Sequence, residues 1–305
     1  MLNKIKRFIK KLLFIIRRNL YWPYFLFFAK KPNVLSAEET IRFIVDNELS
    51  VSRFGEGEFK LMSKRGKIGF QEANDNLSNA LLNSFAKRDA KLLVCSNNFS
   101  TKHHMNVESG RWFKDYVYIY FRHFNFFDRK YKYGDADITR FYQPDSFKYT
   151  NFDYLEKQYV PLLRSIWNDK NLLIVEGSLT KLGLGNDLFS NAKTIRRIEC
   201  PPKNAFSKYN QIIESILKNV RKDELVLIAL GPTASVLSVD LWCNYKIRSI
   251  DIGHIDVVYM WFLNKTKEKF NIDGKYVNEA IGSSNILACE FDRTKFQSEI
   301  IDIID

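Results

Sequence analysis

The sequence predicts an α/β protein with a mainly parallel, Rossmann-like sheet flanked by helices. Short β-rich runs alternate with helical stretches, several runs are apolar throughout, and polar motifs follow the runs. Continuous apolar runs are typical of parallel strands covered on both faces. The expected strands are LSVSRF (49–54), KLLVCSN (91–97), YVYIYF (116–121), NLLIVEG (171–177), IRRIEC (195–200), ELVLIAL (224–230) and RSIDIG (248–253).

Helices are expected between these strands. Ser36-Ala37-Glu38-Glu39 is a capping-box signature, which predicts that a helix and the folded domain begin near residue 37. Apolar residues recur at helical spacing from Ile212 to Val220, and TASVLSVDLW predicts a helix after the sixth strand. Since no repeat or clear linker interrupts the chain, residues 36–305 are predicted to form one domain.

Basic charge is concentrated at the N-terminus. The whole chain carries a formal charge of +12, but residues 1–31 hold nine Lys or Arg and no acid, which leaves +3 for the remainder. A nucleic-acid footprint spread over the surface is therefore disfavoured, and no nucleic-acid partner is expected.

Residues 1–31 are predicted to form a basic amphipathic helix that lies on a membrane surface. Apolar residues recur at helical spacing from Ile5 to Leu20, and Pro23 is expected to interrupt the helix. No uninterrupted apolar stretch reaches the ~20 residues of a spanning helix, and no signal-peptide cleavage site follows. Each basic side chain near an anionic leaflet adds about 1 kcal/mol of binding free energy. The alternative is a helix that packs on its own domain or on a partner.

Cysteine and histidine usage argues against a structural metal site or a disulfide framework. Cys95, Cys200, Cys243 and Cys289 form no C-x-x-C pair, which is typical of a protein from a reducing cytoplasm. His103-His104 and His123 also lack metal-ligand spacing.

Four polar motifs follow predicted strands. RFGEGE follows the first strand, EGSLTKLGLGND the fourth, GPTAS the sixth and GHID the last. Ligands of open parallel sheets bind beyond the carboxyl ends of the strands. The four motifs therefore predict an enzyme active site or a nucleotide-binding site at one edge of the sheet.

The motif Gly231-Pro232-Thr233 joins a strand to a helix. Free N–H groups at the start of that helix, with the Thr233 and Ser235 hydroxyls, would seat a diphosphate. The alternative is an ordinary strand–helix turn, since neither a P-loop lysine motif nor G-x-G-x-x-G is present.

The motif EGSLTKLGLGND carries glycines around a lysine. Gly183 and Gly185 would bring backbone close to a phosphate or sugar, Lys181 would supply charge, and Asp187 would accept hydrogen bonds from hydroxyls. The alternative is a flexible crossover in which Asp187 caps a helix.

His254 and Asp256 lie at the end of the last strand. A histidine there would bind phosphate or act as an acid or base, and the alternative is a structural histidine.

Glu56 and Glu58 stand on either side of Gly57. On an extended chain, alternate carboxylates face the same way and would approach one hard cation. The alternative is two solvated charges in a turn.

Five segments, taken in order, resemble the GT-D-type glycosyltransferases. They are SVSRFGEGEFKLM, GDADITRFY, IVEGSLTKLGLGNDLFSNAKTIRRIECPPKNAFSKYNQII, ALGPTASVLSVDL and IDIGHID. That family includes a glucosyltransferase that extends glycans on streptococcal serine-rich adhesins. The resemblance covers about residues 36 to 265 and implies a Rossmann-like catalytic domain, a UDP-sugar donor and a divalent metal, Mn²⁺ or Mg²⁺.

The resemblance also implies roles for individual residues. The D-x-E motif of the family falls on Glu56-Gly57-Glu58, where Glu56 replaces the aspartate, and Ser178, Val258 and Met260 stand where acids are common. The expected metal ligands are Glu56 and Glu58. The residues expected to act in catalysis are Glu56, Glu58, His254 and Asp256. The residues expected to bind the donor are Arg53, Gly55, Lys181, Gly183, Gly185, Asn186, Asp187, Gly231, Pro232 and Thr233.

The expected function is metal-dependent transfer of a sugar from a nucleotide-sugar to a glycan or lipid-linked oligosaccharide, in bacterial surface polysaccharide or glycoprotein synthesis. The N-terminal helix predicts a cytoplasmic protein that is peripheral at the inner face of the plasma membrane. The departures at Glu56 and Ser178 favour an alternative, a catalytically weakened homologue that binds a glycan or a partner as a scaffold. The sugar, the linkage and the oligomeric state are left open.

Overall fold

The computed structural model describes residues 2–29, 31–64, 68–98, 114–115, 117–119, 127–272, 275, 283–284 and 290–305. The chain divides into two compact units. The first combines Met1–Val34 with Asn98–Tyr133, and the second combines Leu35–Asn97 with Gly134–Asp305. The predicted domain limits, 1–31 and 36–305, stay predictions.

The first unit contains helix α1 (Leu2–Phe27) and strand β1 (Asn33–Val34). The helix passes through Pro23, so the predicted interruption there is wrong. Proline removes only its own N–H from the helix, and the final turn still closes because Phe28 N–H donates to the Tyr24 carbonyl oxygen at 2.9 Å. The N-terminal helix is thus present, and its amphipathic, membrane-binding character stays a prediction.

Two further features of the first unit bear on the predictions. Residues 117–119 are helical, so the strand predicted over 116–121 is wrong there, and residues 116, 120 and 121 lie outside the described chain. No helix among the described residues is long and apolar enough to cross a membrane.

The second unit contains the remaining elements, except that Lys132 and Tyr133 of strand β4 belong to the first unit. Its helices are α2 (Ala37–Asn47), α3 (Glu56–Met62), α4 (Asp75–Ala86), α5 (Phe152–Tyr154), α6 (Val160–Arg164), α7 (Tyr209–Asn219), α8 (Pro232–Tyr245), α9 (Ile255–Leu263) and α10 (Glu290–Glu299). The strands that follow β1 are β2 (Ser50–Phe54), β3 (Leu92–Ser96), β4 (Lys132–Asp135), β5 (Asn171–Gly177), β6 (Thr194–Cys200), β7 (Glu224–Ala229), β8 (Ser249–Asp251), β9 (Asn271–Ile272), β10 (Ser283–Ser284) and β11 (Ile300–Ile303). Short 3₁₀ turns span Pro144–Tyr149 and Ala205–Lys208, and a π-helical turn spans Leu155–Tyr159.

The main sheet of the second unit has the strand order β4-β3-β2-β8-β7-β5-β6-β11, and all neighbouring strands are parallel. This confirms the predicted α/β fold. From the neighbouring strands β5 and β7 the chain continues in opposite directions across the sheet. β5 is followed by β6 on one side, and β7 is followed by β8 on the other. Open α/β sheets bind ligands at such a switch point.

Both faces of the sheet are buried, which explains the continuous apolar runs. Leu172 and Ile174 of β5 belong to one core cluster, whereas Leu173 and Val175 belong to a second cluster on the other face. Helices α6 and α9 contribute to the first cluster, and α7 and α8 contribute to the second. Alternate side chains of a strand point to opposite faces, so a strand covered on both faces is expected to be apolar at most positions.

The predicted capping box is confirmed at the start of α2. The Ser36 hydroxyl accepts from Glu39 N–H at 3.2 Å, and Ser36 N–H donates to Glu39 Oε2 at 2.8 Å.

Candidate active site

Glu56 and Glu58 lie in the first turn of helix α3. The extended geometry assumed for them is therefore wrong, because residues two apart on a helix project about 200° from each other. Gly55 N–H donates to Glu58 Oε2 at 2.8 Å, and this cap starts the helix directly after β2. Glu56 is exposed, whereas Glu58 is half-buried.

The carboxyl of Glu58 lies in an acidic environment. Its pKa is raised above the ordinary glutamate value, mainly because burial disfavours the charged form and secondarily because Asp251 is nearby. Backbone N–H groups and the Arg53 charge oppose this shift. A cation beside Glu58 would favour its charged form and so oppose this rise in pKa.

Arg53 lies at the end of β2 and is held by the protein itself. Its Nη1 donates to the Ala136 carbonyl oxygen at 2.9 Å and to Thr139 Oγ1 at 2.5 Å, and its Nη2 lies 3.3 Å from Asp251 Oδ1. Gly253, with φ of +50°, permits this approach, because a Cβ there would lie 2.1 Å from Nη2. The predicted contact of Arg53 with phosphate stays a prediction.

Two more acids lie beside Arg53, Asp135 at the end of β4 and Asp137 just after it. Asp137 N–H donates to Asp135 Oδ1 at 2.8 Å, and Asn97 Nδ2 donates to Asp137 Oδ2 at 2.9 Å. Burial and the adjacent Asp137 charge raise the pKa of Asp135 to about 7. A Cβ on Gly55 would lie 3.4 Å from Glu58 Oε2 and 3.9 Å from Asn97 Oδ1. Because both oxygen atoms are close to this one point, the acidic cluster extends to Glu58. We call it the Arg53 cluster; its members are Arg53, Glu58, Asn97, Asp135, Asp137 and Asp251.

A crevice of about 40 Å³ opens at the switch point of the sheet. Its lining comes from the carboxyl ends of β5, β6, β7 and β8 and from a loop that carries Phe70. The residues that line it include Phe70, Gly177, Gly231, His254 and Asp256. The crevice therefore unites three of the predicted site residues.

Gly231 forms the tight turn between β7 and α8. Its φ of +56° is unfavourable for other residues, and a Cβ there would lie 2.3 Å from the Phe70 ring. Pro232 is the first residue of α8, as predicted. Thr233 is fully buried, and its Oγ1 has no hydrogen-bond partner in the part of the chain that the structure describes.

The Ser235 hydroxyl is not directed at a ligand. It donates to the Arg53 carbonyl oxygen at 2.8 Å and lies 3.2 Å from Asp251 Oδ2. Ser235 therefore joins the start of α8 to the Arg53 cluster. Of the two hydroxyls predicted to seat a diphosphate at this turn, only that of Thr233 would remain for the ligand.

The glycine-rich loop after β5 is anchored on Asp256. Asp256 Oδ1 accepts from Gly183 N–H and from Asn186 Nδ2, both at 2.8 Å, and its Oδ2 is paired with Lys275 Nζ at 2.5 Å. Gly183 and Gly185 have φ of +76° and +75°, so the loop depends on glycine for its path. Asp256 is 1% exposed, which identifies it as a residue that positions the loop.

Lys181 and His254 occupy different parts of this edge. Lys181 has φ of +47° and is close enough to Glu199 to offset part of the rise that burial causes in the pKa of that glutamate. The His254 ring lines the crevice, with its centroid 6.0 Å from that of Phe70.

Asp187 lies apart from the crevice. Its Oδ1 accepts from the Tyr259 hydroxyl at 2.8 Å, and its Oδ2 is 3.2 Å from Arg164 Nη1. These contacts face a separate cleft, so Asp187 does not join His254 and Asp256 in the crevice.

Glu176 is a buried structural residue. It is fully buried and paired with Arg197 Nη1 at 2.6 Å, and Arg197 Nε also bonds Glu299 at 2.7 Å. Burial raises the pKa of Glu176, and Arg197 partly offsets the rise.

The described residues contain no group of three or more His, Cys, Asp or Glu side chains arranged to hold a metal ion. The Arg53 cluster nevertheless offers hard oxygen atoms from Glu58, Asn97 and Asp137. Mg²⁺ is commonly held by one or two carboxylates, with water and substrate phosphate completing its octahedron, so these residues fit such an ion. The roles predicted for Glu56 and Glu58 as metal ligands stay predictions.

Sequence reasoning missed several residues of this edge. Asp251 was hidden inside an apolar predicted strand, and Asn97 ended another. The pair Asp135 and Asp137 carried the clearest signal, two acids after a short β-rich run. No sequence pattern pointed to Phe70, because its position follows from tertiary packing.

This arrangement defines a class of protein. A parallel α/β sheet with a glycine turn, a helix N-terminus and an acidic cluster at one edge is typical of enzymes that handle phosphate-bearing ligands. Comparison with known families gives the particular family: the chain belongs to the glycosyltransferase GT-D fold family, whose model matches residues 51–280. The resemblance seen in the sequence and the expected enzyme class, glycosyltransferase, are both confirmed.

Two streptococcal proteins are similar to this chain. The probable glycosyl transferase Gly of Streptococcus gordonii is 34% identical over 249 residues, which are 81% of this chain and 35% of that protein. The glycosyltransferase GlyD of Streptococcus pneumoniae serotype 4 is 31% identical over 248 residues, which are 81% of this chain and 30% of that protein. The chain thus spans about a third of the length of these curated relatives.

Solved structures share the fold. A domain of unknown function 1792, described as having a distinct glycosyltransferase fold, superposes with a TM-score of 0.79 at 32% identity and covers 90% of this chain and 97% of that one. A glycosyltransferase from Streptococcus sanguinis superposes with a TM-score of 0.78 at 29% identity and covers 90% of this chain and 100% of that one.

Proposed function

We propose that this protein transfers a sugar from a UDP-sugar to a glycan acceptor with the help of Mn²⁺ or Mg²⁺. The observation that carries the proposal is the position of the crevice. It lies at the switch point of the sheet; Gly231 in its lining precedes α8, and His254 in its lining follows Gly253, which packs against Arg53 of the Arg53 cluster. A diphosphate between these two features would meet helix N–H groups on one side and an acidic cation site on the other.

The glycine turn and the first turn of α8 fit the diphosphate. Gly231 lets the turn pass against the Phe70 ring at the edge of the crevice, and Thr233 Oγ1 is a buried polar atom without a partner among the described residues. His254 lines the same crevice and would contact the phosphate or the sugar. Donor binding by these groups would stabilise the negative charge that develops on UDP as it leaves.

Glu58, Asn97 and Asp137 would hold the divalent metal. When bound, the metal supplies positive charge to the diphosphate and so assists its departure. Arg53 sets the geometry of these residues, because its side chain joins β2 to the residues after β4 and to Asp251 on β8. Asp256 holds the glycine-rich loop against the crevice and so positions Lys181 and Asn186.

The proposed acceptor is a glycan at the inner face of the plasma membrane, including a lipid-linked oligosaccharide used in bacterial surface polysaccharide or glycoprotein synthesis. The support is the basic helix α1, on which Phe8, Leu20 and Phe27 are 68%, 74% and 77% exposed. Exposed apolar side chains beside lysine and arginine are typical of helices that bind anionic membrane surfaces.

A thermal-shift screen of UDP-, GDP- and dTDP-sugars with and without Mn²⁺ tests the donor and the metal. We expect UDP-sugars to raise the Tm in a Mn²⁺-dependent way, and Glu58→Ala to abolish the shift while Glu56→Ala weakens it less. Metal-dependent donor binding that Glu58→Ala leaves unchanged would refute the site. No donor binding at all, together with tight binding to a glycan or a partner protein, would favour the scaffold function.

Flotation on vesicles of 30% phosphatidylserine tests the membrane proposal. The full chain is expected to float and a chain that lacks residues 1–31 to remain at the bottom. Equal flotation of both would refute a membrane role for α1.

A further inference from the structure

We propose that a cleft beside helices α6 and α9 binds the part of the acceptor glycan that extends away from the crevice. The inference rests on the proposed function, since it names where an oligosaccharide acceptor lies. The cleft measures about 570 Å³, against about 40 Å³ for the crevice. Ligand sites commonly measure 300–1,000 Å³, so the cleft has room for a sugar chain as the structure stands.

The composition of the cleft suits a neutral, hydroxyl-rich ligand. The exposed apolar surface comes from Pro161 of α6 and Leu263 of α9, and Val160, Tyr259 and Phe262 lie beneath it and are almost completely buried. The polar lining consists of Glu156, Arg164, Asn168, Asp187, Asn191 and Lys265. A pyranose ring offers the same two surfaces, an apolar C–H face and a rim of hydroxyls. Carboxylate, amide and guanidinium groups each present two parallel hydrogen-bonding atoms, which match a pair of adjacent hydroxyls.

The charges of the lining argue against an anionic ligand. Two acids, Glu156 and Asp187, balance two bases, Arg164 and Lys265. A site for phosphate or nucleic acid requires an excess of positive charge, which this lining lacks.

The polar side chains of the cleft are held in place before any ligand binds. Asp187 is clamped between the Tyr259 hydroxyl at 2.8 Å and Arg164 Nη1 at 3.2 Å, yet its side chain remains 59% exposed. Arg164 Nη2 also donates to Ser190 Oγ at 2.7 Å, and Asn191 Nδ2 donates to the Arg164 carbonyl oxygen at 3.0 Å. A site fixed in this way loses little conformational entropy on binding.

Helix α9 connects the cleft to the crevice. Asp256 lines the crevice, whereas Tyr259, one turn later, lines the cleft. At 1.5 Å per residue, Tyr259 lies about 4.5 Å and Phe262 about 9 Å further along the axis than Asp256. The loop after β5 runs alongside, since Asn186 bonds Asp256 and the next residue, Asp187, bonds Tyr259. A ligand that reaches from the crevice into the cleft is therefore an oligosaccharide of two or more units.

An array of neutral mono- to hexasaccharides tests this proposal with the full chain. The variant Arg164→Gln removes the group that clamps Asp187. Arg248→Gln is the matched control, because Arg248 is also paired with one acid, Glu48, and its side chain is 18% exposed against 20% for Arg164. Tyr259→Phe keeps the ring and removes only its hydroxyl, which guards against a variant that fails to fold.

We expect the wild type to retain oligosaccharides of two or more units, and Arg164→Gln to weaken this binding at least tenfold. Tyr259→Phe should weaken it about threefold and Arg248→Gln less than twofold, while the affinity of all three variants for UDP with Mn²⁺ stays within twofold of wild type. No retained oligosaccharide, or retention that Arg164→Gln does not reduce, would overturn the proposal. Loss of UDP binding by the wild type, with glycan binding intact, would instead count against the proposed function and leave the cleft supported.

Discussion

Arg53 and Asp251 form an ion pair at 3.3 Å between Nη2 and Oδ1, and this pair joins strands β2 and β8 beneath the candidate site. The side chains are only 11% and 5% exposed, so the pair is shielded from water. Arg53 also reaches the Ala136 carbonyl oxygen and Thr139, which follow β4. One guanidinium thereby fixes the relative positions of three strand ends.

The first prediction concerns Asp251→Asn. The variant removes the ion pair and should lose unfolding free energy, but the loss should stay below about 3 kcal/mol because Glu58 and Asp135 still face the Arg53 charge. Urea denaturation measures the change, with Asp153→Asn as control because Asp153 is paired with Lys157 at an exposed site. A loss no larger than that of the control would show that the ion pair does not hold the strand ends.

The second prediction concerns the pH dependence of stability at Asp135. Its pKa is raised from 3.8 to about 7 by burial and by Asp137. Below pH 4 the carboxyl is protonated in both states, and between pH 4 and 7 only the unfolded chain releases the proton. The unfolding free energy of the wild type should therefore fall across this window and stay low above it.

The variant Asp135→Asn cannot ionise and should lack that decline. The unfolding free energy of the variant minus that of the wild type should be up to about 4 kcal/mol larger at pH 8 than at pH 4. Each unit of pKa shift corresponds to about 1.36 kcal/mol. Urea denaturation in EDTA at pH 4, 5.5, 7 and 8 measures the difference. Parallel pH profiles for the two proteins would contradict the raised pKa.

The third prediction concerns Gly231→Ala. The positive φ costs roughly 1–3 kcal/mol for a residue with a side chain, and the added Cβ would collide with the Phe70 ring 2.3 Å away. The collision should disappear in the double variant Gly231→Ala with Phe70→Ala, whose loss of unfolding free energy should fall at least 1 kcal/mol short of the sum of the single losses.

Gly57→Ala is the matched control for this cycle. Its φ is not in the left-handed region, and a Cβ there would meet Ile68 at an ordinary 3.7 Å. Because Gly57 lies within α3, alanine should stabilise the protein by roughly 0.5–1 kcal/mol. Strict additivity of the Gly231 and Phe70 variants would argue against direct contact between the turn and the ring.

The fourth prediction concerns the buried pair Glu176 and Arg197. Glu176→Gln should cost about 3 kcal/mol, because Arg197 keeps only its bond to Glu299. The double variant Glu176→Met with Arg197→Met should cost less than Glu176→Gln alone, since two apolar side chains replace two buried charges. Lys157→Met, which breaks an exposed pair, should change the unfolding free energy by less than 1 kcal/mol. A double variant that is less stable than the single one would contradict this reasoning.

Much of the fold was predictable from periodicity. The apolar runs at 171–177 and 224–230 correspond to β5 and β7, and the capping box at Ser36 marks the start of α2. The strand β4 was missed because Gly134 and Asp135 are poor strand formers that pairing with β3 overrides. Within the run 116–121, the described residues 117–119 were assigned to the wrong class of element, because the aromatic residues of the run suit a helix or a strand equally.

The site was predictable only in part. Residues at strand ends, such as Gly231 and His254, could be placed because parallel strands bring their carboxyl ends to one edge. The direction of a side chain depends on the next element, which is why Glu56 and Glu58 diverge on α3 and why Asp187 leaves the crevice. Contacts between distant segments, such as Phe70 on Gly231, leave no local pattern in the sequence.

The pairing of β2 with β8 also has a consequence for how the protein is made. Arg53 and Asp251 are 198 residues apart, so at 5–20 residues per second a ribosome needs roughly 10–40 s to deliver the second after the first. During that interval the edge of β2 that pairs with β8 is unpaired, and the Arg53 guanidinium lacks the Asp251 carboxylate. The nascent chain is thus most exposed to aggregation before its last third emerges, and a holdase chaperone would act on the strands already made.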